Sequence, residues 1–203
     1  NEERIGVAIE AREAGVPPPV VSFFFGSGDG GKTWFGPVRI GPPPHIAGPR
    51  LQWEFGQGEF AFSVWYRFLQ PRGFYFQRST NGGASWEDPV QLEDGSDILD
   101  FALAVDQNGT VNVVWPNAEG IVNSRSDDNG KSFSTELIIP QEPDVSLQPR
   151  GLRADSSGRL HAILRRSIYP PGQDEYTDVI YLRRSKDGIW SNPEAILWAN
   201  RSG

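Results

Sequence analysis

An eight-residue turn recurs along this chain and constrains its fold more than any other feature. Ser27-Gly28-Asp29-Gly30-Gly31-Lys32-Thr33-Trp34 has the form S-x-D-x-G-x-T-W. Ser79-Thr80-Asn81-Gly82-Gly83-Ala84-Ser85-Trp86 is a second copy with Asn for Asp. Ser126-Asp127-Asp128-Asn129-Gly130-Lys131-Ser132-Phe133 is a third with Phe for Trp, and Ser185-Lys186-Asp187-Gly188-Ile189-Trp190 is a shortened fourth. The Asp or Asn positions, 29, 81, 128 and 187, are spaced by 52, 47 and 59 residues. Self-similarity at such a period means that one supersecondary unit is repeated, each copy burying an apolar face against its neighbour.

Each residue of the motif has a mechanical use. Ser and Asp side chains accept hydrogen bonds from backbone N–H groups of their own turn. The Gly supplies a φ above zero that other residues resist. The Thr or Ser hydroxyl can tie back to the Asp, and the aromatic ring packs the turn onto an apolar layer. Ser27, Asp29, Gly31, Trp34, Ser79, Asn81, Gly83, Trp86, Ser126, Asp128, Gly130, Phe133, Ser185, Asp187 and Trp190 are therefore assigned to holding turns rather than to catalysis.

Between the turns the chain reads as short strands. Arg4 to Glu10 alternates, Val20 to Phe25 is a continuous apolar run, and Pro37 to Ile40 is a short outer strand. The second repeat reads Leu51 to Phe55, Glu59 to Arg67, Gly73 to Arg78 and Pro89 to Leu92. The third reads Phe101 to Val105, Thr110 to Trp115, Gly120 to Ser124 and Leu137 to Ile139; the fourth reads Gly151 to Ala154, Arg159 to Arg165, Val179 to Arg183 and Ala195 to Leu197. The repeats run approximately 1–49, 50–99, 100–149 and 150–203 within one domain, and the first carries three strands where the others carry four.

The motif resembles the Asp box, or BNR repeat, of sialidases and their relatives. The resemblance implies an all-β fold: a β-propeller whose repeats are four-stranded antiparallel blades, with each box on the turn between third and fourth strands, away from the active-site side. About four blades are visible, and sialidase-like propellers have six. The expectation is a chain that begins in mid-blade as part of a six-bladed ring, with another chain completing the ring as the alternative.

By this register, ligand-binding loops precede each first strand or join the second strand to the third. Arg50, Asp100 and Arg150 begin the first strands of three repeats, 50 residues apart. The segment Ser167 to Asp178 is the longest loop of the second class and holds Tyr169, Gln173, Asp174, Glu175 and Tyr176. A guanidinium matches a carboxylate with two parallel hydrogen bonds, and the resemblance implies three arginines holding a sugar carboxylate. The candidate ligand-binding residues are Arg50, Arg67, Asp100, Arg150, Arg165, Arg166, Tyr169 and Tyr176, against a reading of the arginines as ion-paired surface residues. Arg165, seven residues after Gly158, is similar in position to one sialidase arginine. Other parts of that pattern are missing. Arg4-Ile5-Gly6 and Arg39-Ile40-Gly41 do not match the family's Arg-Ile-Pro, and Arg150 to Asp155 holds no Glu to activate a tyrosine. No residue is assigned a catalytic role.

Composition excludes several function classes. A net charge of −7 and a pI near 4.9 speak against nucleic acid. No apolar run is long enough to span a membrane. Without cysteine, and with only His45 (read as exposed) and His161 (read as packed), no zinc set exists. Asp94, Ser96, Asp97 and Asp100 could hold Ca²⁺ but read as a solvated acidic loop. No cofactor or metal is expected. The reading is an extracellular, non-catalytic scaffold that binds a glycan or a protein on its loop face. The alternative is a fragment of a sialidase-type exo-glycoside hydrolase, and a structural subunit of an assembly is a third possibility.

Overall fold

A computed structural model describes residues 3–12, 20–41, 51–67, 71–94, 98, 100–172 and 174–198. Among them are fifteen strands: β1 (Ile5–Arg12), β2 (Val20–Ser27), β3 (Phe35–Ile40), β4 (Leu51–Phe55), β5 (Ala61–Arg67), β6 (Gly73–Ser79), β7 (Val90–Asp94), β8 (Ala102–Val105), β9 (Val111–Asn117), β10 (Gly120–Ser126), β11 (Ser134–Pro140), β12 (Val145–Ala154), β13 (Leu160–Ile168), β14 (Tyr176–Arg184) and β15 (Glu194–Trp198). They form one three-stranded antiparallel meander, β1-β2-β3, and three four-stranded ones, β4 to β7, β8 to β11 and β12 to β15. The fold is all-β, and such a meander is the blade unit of a propeller.

The chain divides into two compact units: Asn1–Leu99 with Asp128–Lys131, and Asp100–Asp127 with Ser132–Gly203. In the first, Phe24 of β2 is fully buried and meets Trp53, Phe55 and Trp86 edge to face, with centroids 5.1, 6.3 and 5.7 Å away. Burying one such ring contributes about 2–3 kcal/mol. β5 (AFSVWYR) is buried along its length because it lies between β4 and β6, with both faces covered. In the second unit, Ala102, Ala104, Val114 and Ile121 pack with Leu147, Leu152, Ala162, Leu164, Ile180 and Leu182. On β8, β13 and β14 these are alternate residues, as a sheet with one core-facing side requires, and on β12 the bulge between Pro149 and Gly151 brings Leu147 and Leu152 to one face.

The turns close as their chemistry dictates. In the first, Ser27 Oγ accepts from Gly31 N (2.8 Å) and donates to Asp29 Oδ1 (2.8 Å), while Thr33 donates to Asp29 through its N–H (2.9 Å) and its hydroxyl (2.7 Å). The second repeats this with Ser79, Asn81, Gly83 and Ser85 at 2.8–2.9 Å, except that the last bond is reversed, Asn81 Nδ2 donating to the Ser85 hydroxyl. In the third, Lys131 N–H donates to Asp128 at 2.9 Å. Gly31, Gly83 and Gly130 have φ of +87°, +95° and +78°. Each of the last two also abuts a ring within the first unit: a Cβ on Gly83 would lie 2.2 Å from Phe24, and one on Gly130 2.5 Å from Phe76.

The fourth turn is built differently. Leu160 faces Arg184, whereas Val111 faces Ser126 and Ala61 faces Ser79. Arg184, not Ser185, thus holds the place of the earlier serines. Ser185 Oγ accepts from Ile189 N (3.2 Å) and its carbonyl from Gly188 N (3.0 Å), the closure that Asp106 gives the β8–β9 turn and Asp155 the β12–β13 turn.

Candidate functional site

The candidate residues of the second unit gather where β12 and β14 start and β13 ends; Val145, Ile168 and Tyr176 lie in register there. Three boundaries here differ from the sequence expectation: the starts of β12 and β14, and the end of β13, which runs past Arg165 to Ile168. β12 begins at Val145, so Arg150 lies within the strand, at a bulge between Pro149 and Gly151, and not at its start. A proline is tolerated there because β12 is an edge strand. β14 begins at Tyr176, which leaves a connection only from Tyr169 to Glu175. Tyr-Thr suits a strand better than its acidic surroundings suggest.

Three arginines here already hold carboxylates of the chain itself. Arg166 and Asp178 face each other across β13 and β14, and Arg166 Nε donates to Oδ1 at 2.9 Å while Nη2 donates to Oδ2. The Asp178 side chain is fully buried and that of Arg166 is 28 % exposed. They continue the core-facing row of Leu164 and Ile180, which ends in this pair. The Asp178 carboxylate raises the Arg166 pKa further, outweighing partial burial. Arg150 donates to Asp100 at 2.8 Å and to Gln148 Oε1 at 2.5 Å, and Asp100 is buried. Arg165 points to the other face and lies 3.8 Å from Glu175, both well exposed, so their attraction is slight. Tyr169 is 47 % exposed, and Tyr176 is half-buried.

Arg67 belongs to the first unit. It ends β5 opposite Gly73 and is buried, and the hydroxyl of its chain neighbour Tyr66 accepts from Arg72 Nε at 2.8 Å. Arg50, Gln173, His45, Ser96 and Asp97 lie outside the described residues. His161 is not enclosed: its side chain is 36 % exposed, with Nδ1 2.8 Å from the Tyr181 hydroxyl and Nε2 3.3 Å from Asp155. The Ser157 hydroxyl and the Arg159 amide, with help from His161, hold Asp155 well below the usual carboxylate range.

A second polar group was not expected. Asn123 Nδ2 donates to Asn112 Oδ1 (3.3 Å) and Glu136 Oε1 (3.2 Å), and that carboxylate oxygen also accepts from Arg184 Nε and Trp190 Nε1 at 3.1 Å. The sequence does hold a signal for it. Phe60 to Trp65 and Thr110 to Trp115 align on their tryptophans, and the aligned segments exchange two phenylalanines for Thr110 and Asn112.

Among the described residues no helix is long and apolar enough to cross a membrane, and no group of three or more His, Asp or Glu side chains is disposed to hold a metal ion. No protein-family model matches the chain, and no curated protein sequence does. Solved structures do. The α-L-arabinofuranosidase of Fusarium graminearum in complex with arabinobiose superposes with a TM-score of 0.62 at 14 % identity, over 95 % of this chain and 65 % of that one. An ulvan lyase bound to a glucuronic acid–sulfated rhamnose unit gives 0.61 at 11 %, over 97 % and 56 %. The sialidase NanB of Streptococcus pneumoniae gives 0.56 at 14 %, over 89 % and 29 %. The chain therefore spans less than two thirds of each of these relatives, and at such identities the likeness is one of fold.

Proposed function

We propose that the chain forms part of a β-propeller scaffold that binds a glycan, or a protein, outside the cell, and that it is not itself catalytic. The observation that carries this reading is the state of the arginines. Arg150, Arg165 and Arg166 lie toward one end of the second unit, yet each faces a carboxylate of the chain: Asp100, Glu175 and Asp178. An arginine clamp for a substrate carboxylate needs guanidinium forks turned to the ligand. Arg166 is committed to a fully buried partner, whereas Arg150 and Arg165 remain partly exposed and can meet a ligand at the rim. Tyr169 beside them offers an exposed ring for a sugar face. The glycan-active enzymes among the solved relatives support a carbohydrate ligand.

Further blades fit the same reading. Ile5, Val7 and Ile9 make an apolar row on the edge strand β1 and are 40–43 % exposed. On the fourth sheet, His161 and Tyr181 stack with centroids 6.0 Å apart, in the register positions that Phe62 and Phe76 fill on the second, where the Gly130 turn rests. Both surfaces suit cover by another sheet. A piece of a glycoside hydrolase is the second reading, favoured by the arabinofuranosidase and sialidase likeness.

A glycan array probed with the chain and with its Arg150→Ala and Arg165→Ala variants tests the binding reading. Binding that the variants lose supports it; binding that both retain removes this end from the site. Turnover of a fluorogenic sialoside or arabinoside by the native gene product would replace it with the hydrolase reading.

A further inference from the structure

The second sheet holds a stack of three rings near its turns. Phe60 and Phe62 lie 6.0 Å apart at 6°, and Phe62 and Phe76 5.8 Å apart at 26°. The third sheet has the same hairpin: Gly56 N–H donates to Phe60 O, as Asp106 N–H does to Thr110 O. Val64 faces Phe76 and Phe76 faces Val90, as Val114 faces Asn123 and Asn123 faces Glu136. Phe60, Phe62, Phe76 and Val90 are thus exchanged for Thr110, Asn112, Asn123 and Glu136. Thr110 is 8 % exposed, Asn112 2 % and Asn123 not at all. Three buried polar groups, Thr110, Asn112 and Asn123, in place of rings are costly unless they are used.

Part of that use is internal, since Asn123 and Glu136 tie Asn112, Arg184 and Trp190 together. The network leaves something over. Asn123 Oδ1 is buried without a partner. Thr110 and Asn112 also line a hollow of about 300 Å³ with Arg125, Ser157, Arg184 and Lys186, at the small end of ligand pockets. Asp106 is the carboxylate in its wall, and its Oδ1 already accepts from the Asn108 and Thr110 amides. Asp127 and Glu136, which pair with Arg125 and Arg184, lie outside the wall, and Asp127 also accepts from the Thr110 hydroxyl at 3.2 Å. Arg125 and Arg184 are thus shared with carboxylates just outside the wall, and Lys186 is the cation of the wall that no carboxylate pairs with among the described residues. It sits among the β8–β9, β12–β13 and β14–β15 turns, at the opposite strand ends from Tyr176 and Arg166.

We propose that this hollow binds a small hydroxylated carboxylate, of the size of a single sugar acid. Lys186 takes the carboxylate, with Arg125 shared between it and Asp127, and the buried Asn112 amide and the Thr110 hydroxyl oxygen, whose proton goes to Asp127, meet hydroxyl groups. The site is independent of the arginine end and of whether that end binds a glycan.

The test is titration of the ¹⁵N-labelled chain with D-glucuronate, with glucose and inorganic phosphate as parallel probes. The expected result is saturable glucuronate binding with a dissociation constant on the order of 1 mM, felt at the Thr110 and Asn112 amides. It weakens about threefold in Lys186→Ala, a surface change that removes one exposed charge. Asn112→Phe, which restores the ring of the second sheet, abolishes it in a chain that still melts cooperatively. Absence of saturation, or shifts unaltered in Lys186→Ala, overturns the proposal whether or not Asn112→Phe folds. Phosphate bound as tightly as glucuronate makes this a plain anion seat, and glucose bound as tightly removes the role of charge; either result overturns the sugar-acid assignment.

Discussion

Asp29 is a partly exposed carboxylate with a pKa of about 2, held down first by the Thr33 hydroxyl, then by the Thr33 amide and the Ser27 hydroxyl. A carboxylate of unfolded chain titrates near 3.9. Because the folded value is the lower one, the turn's contribution is fully present above about pH 4 and is lost as pH falls toward 2. The expected outcome is that Asp29→Ala lowers the urea midpoint at pH 6, and that the gap from the native chain closes between about pH 4 and pH 2. A gap that persists unchanged at the acid end would mean that Asp29 acts without its charge. Asp178 sets the opposite case, a carboxylate with no exposed side-chain surface whose cation partner is mostly covered. Removing one member of such a pair strands the other, at roughly 3 kcal/mol. Asp178→Ala should therefore lower unfolding free energy by about 2–3 kcal/mol in denaturant melts, discounted for the partial exposure of Arg166. Arg165→Ala, which breaks a surface pair, should cost under about 0.5 kcal/mol.

At the scale of the element, the turns were legible because their chemistry is local. A serine and an aspartate or asparagine two residues apart, with a glycine two further on, are enough to specify Ser27 to Gly31 and Ser79 to Gly83. The fourth copy looked alike in letters and differed in register, because only pairing across β13 and β14 reveals that Arg184 holds the serine position. Strand starts failed for a related reason. Pro149 and the polar run before Tyr176 argue locally for loops, and the sheet overrides them by pairing Val145, Ile168 and Tyr176. Of the site, the arginines could be named from sequence, but not their carboxylate partners, which depend on register and on side-chain reach. The glycines give the sharpest test at this scale. Alanine at Gly83 or Gly130 meets both a positive φ and a ring within 2.5 Å, and should cost about 2–4 kcal/mol. Gly28→Ala, where nothing lies within 4 Å, should be nearly neutral by the same urea melts. Equal costs at the three positions would show that the turn glycines serve no packing purpose.

For the molecule as a whole, the first sheet carries the most telling surface. β1 corresponds in register to β5, since Ile5 faces Ser27 as Ala61 faces Ser79. In the second sheet β4 pairs with the far edge of β5, and Ala61, Ser63 and Trp65 are buried. Among the described residues no strand does the same for β1, and Ile5, Val7 and Ile9 stand 40–43 % exposed along it. An unpaired edge with an apolar row is a template for another strand. The 203-residue chain by itself should therefore associate through β1, seen as a scattering mass that rises with concentration above 22.5 kDa. Val7→Lys places a charge in the middle of the row and should return the chain to a monomer without lowering its unfolding midpoint, because Val7 packs little in the isolated sheet. A native chain that stays monomeric, or a Val7→Lys chain that associates equally, would remove β1 as the adhesive edge. If the prediction holds, the same substitution separates two ways of covering that edge in the native protein. A further strand of its own fold would exclude the lysine at a cost in stability, whereas a second copy would simply be released.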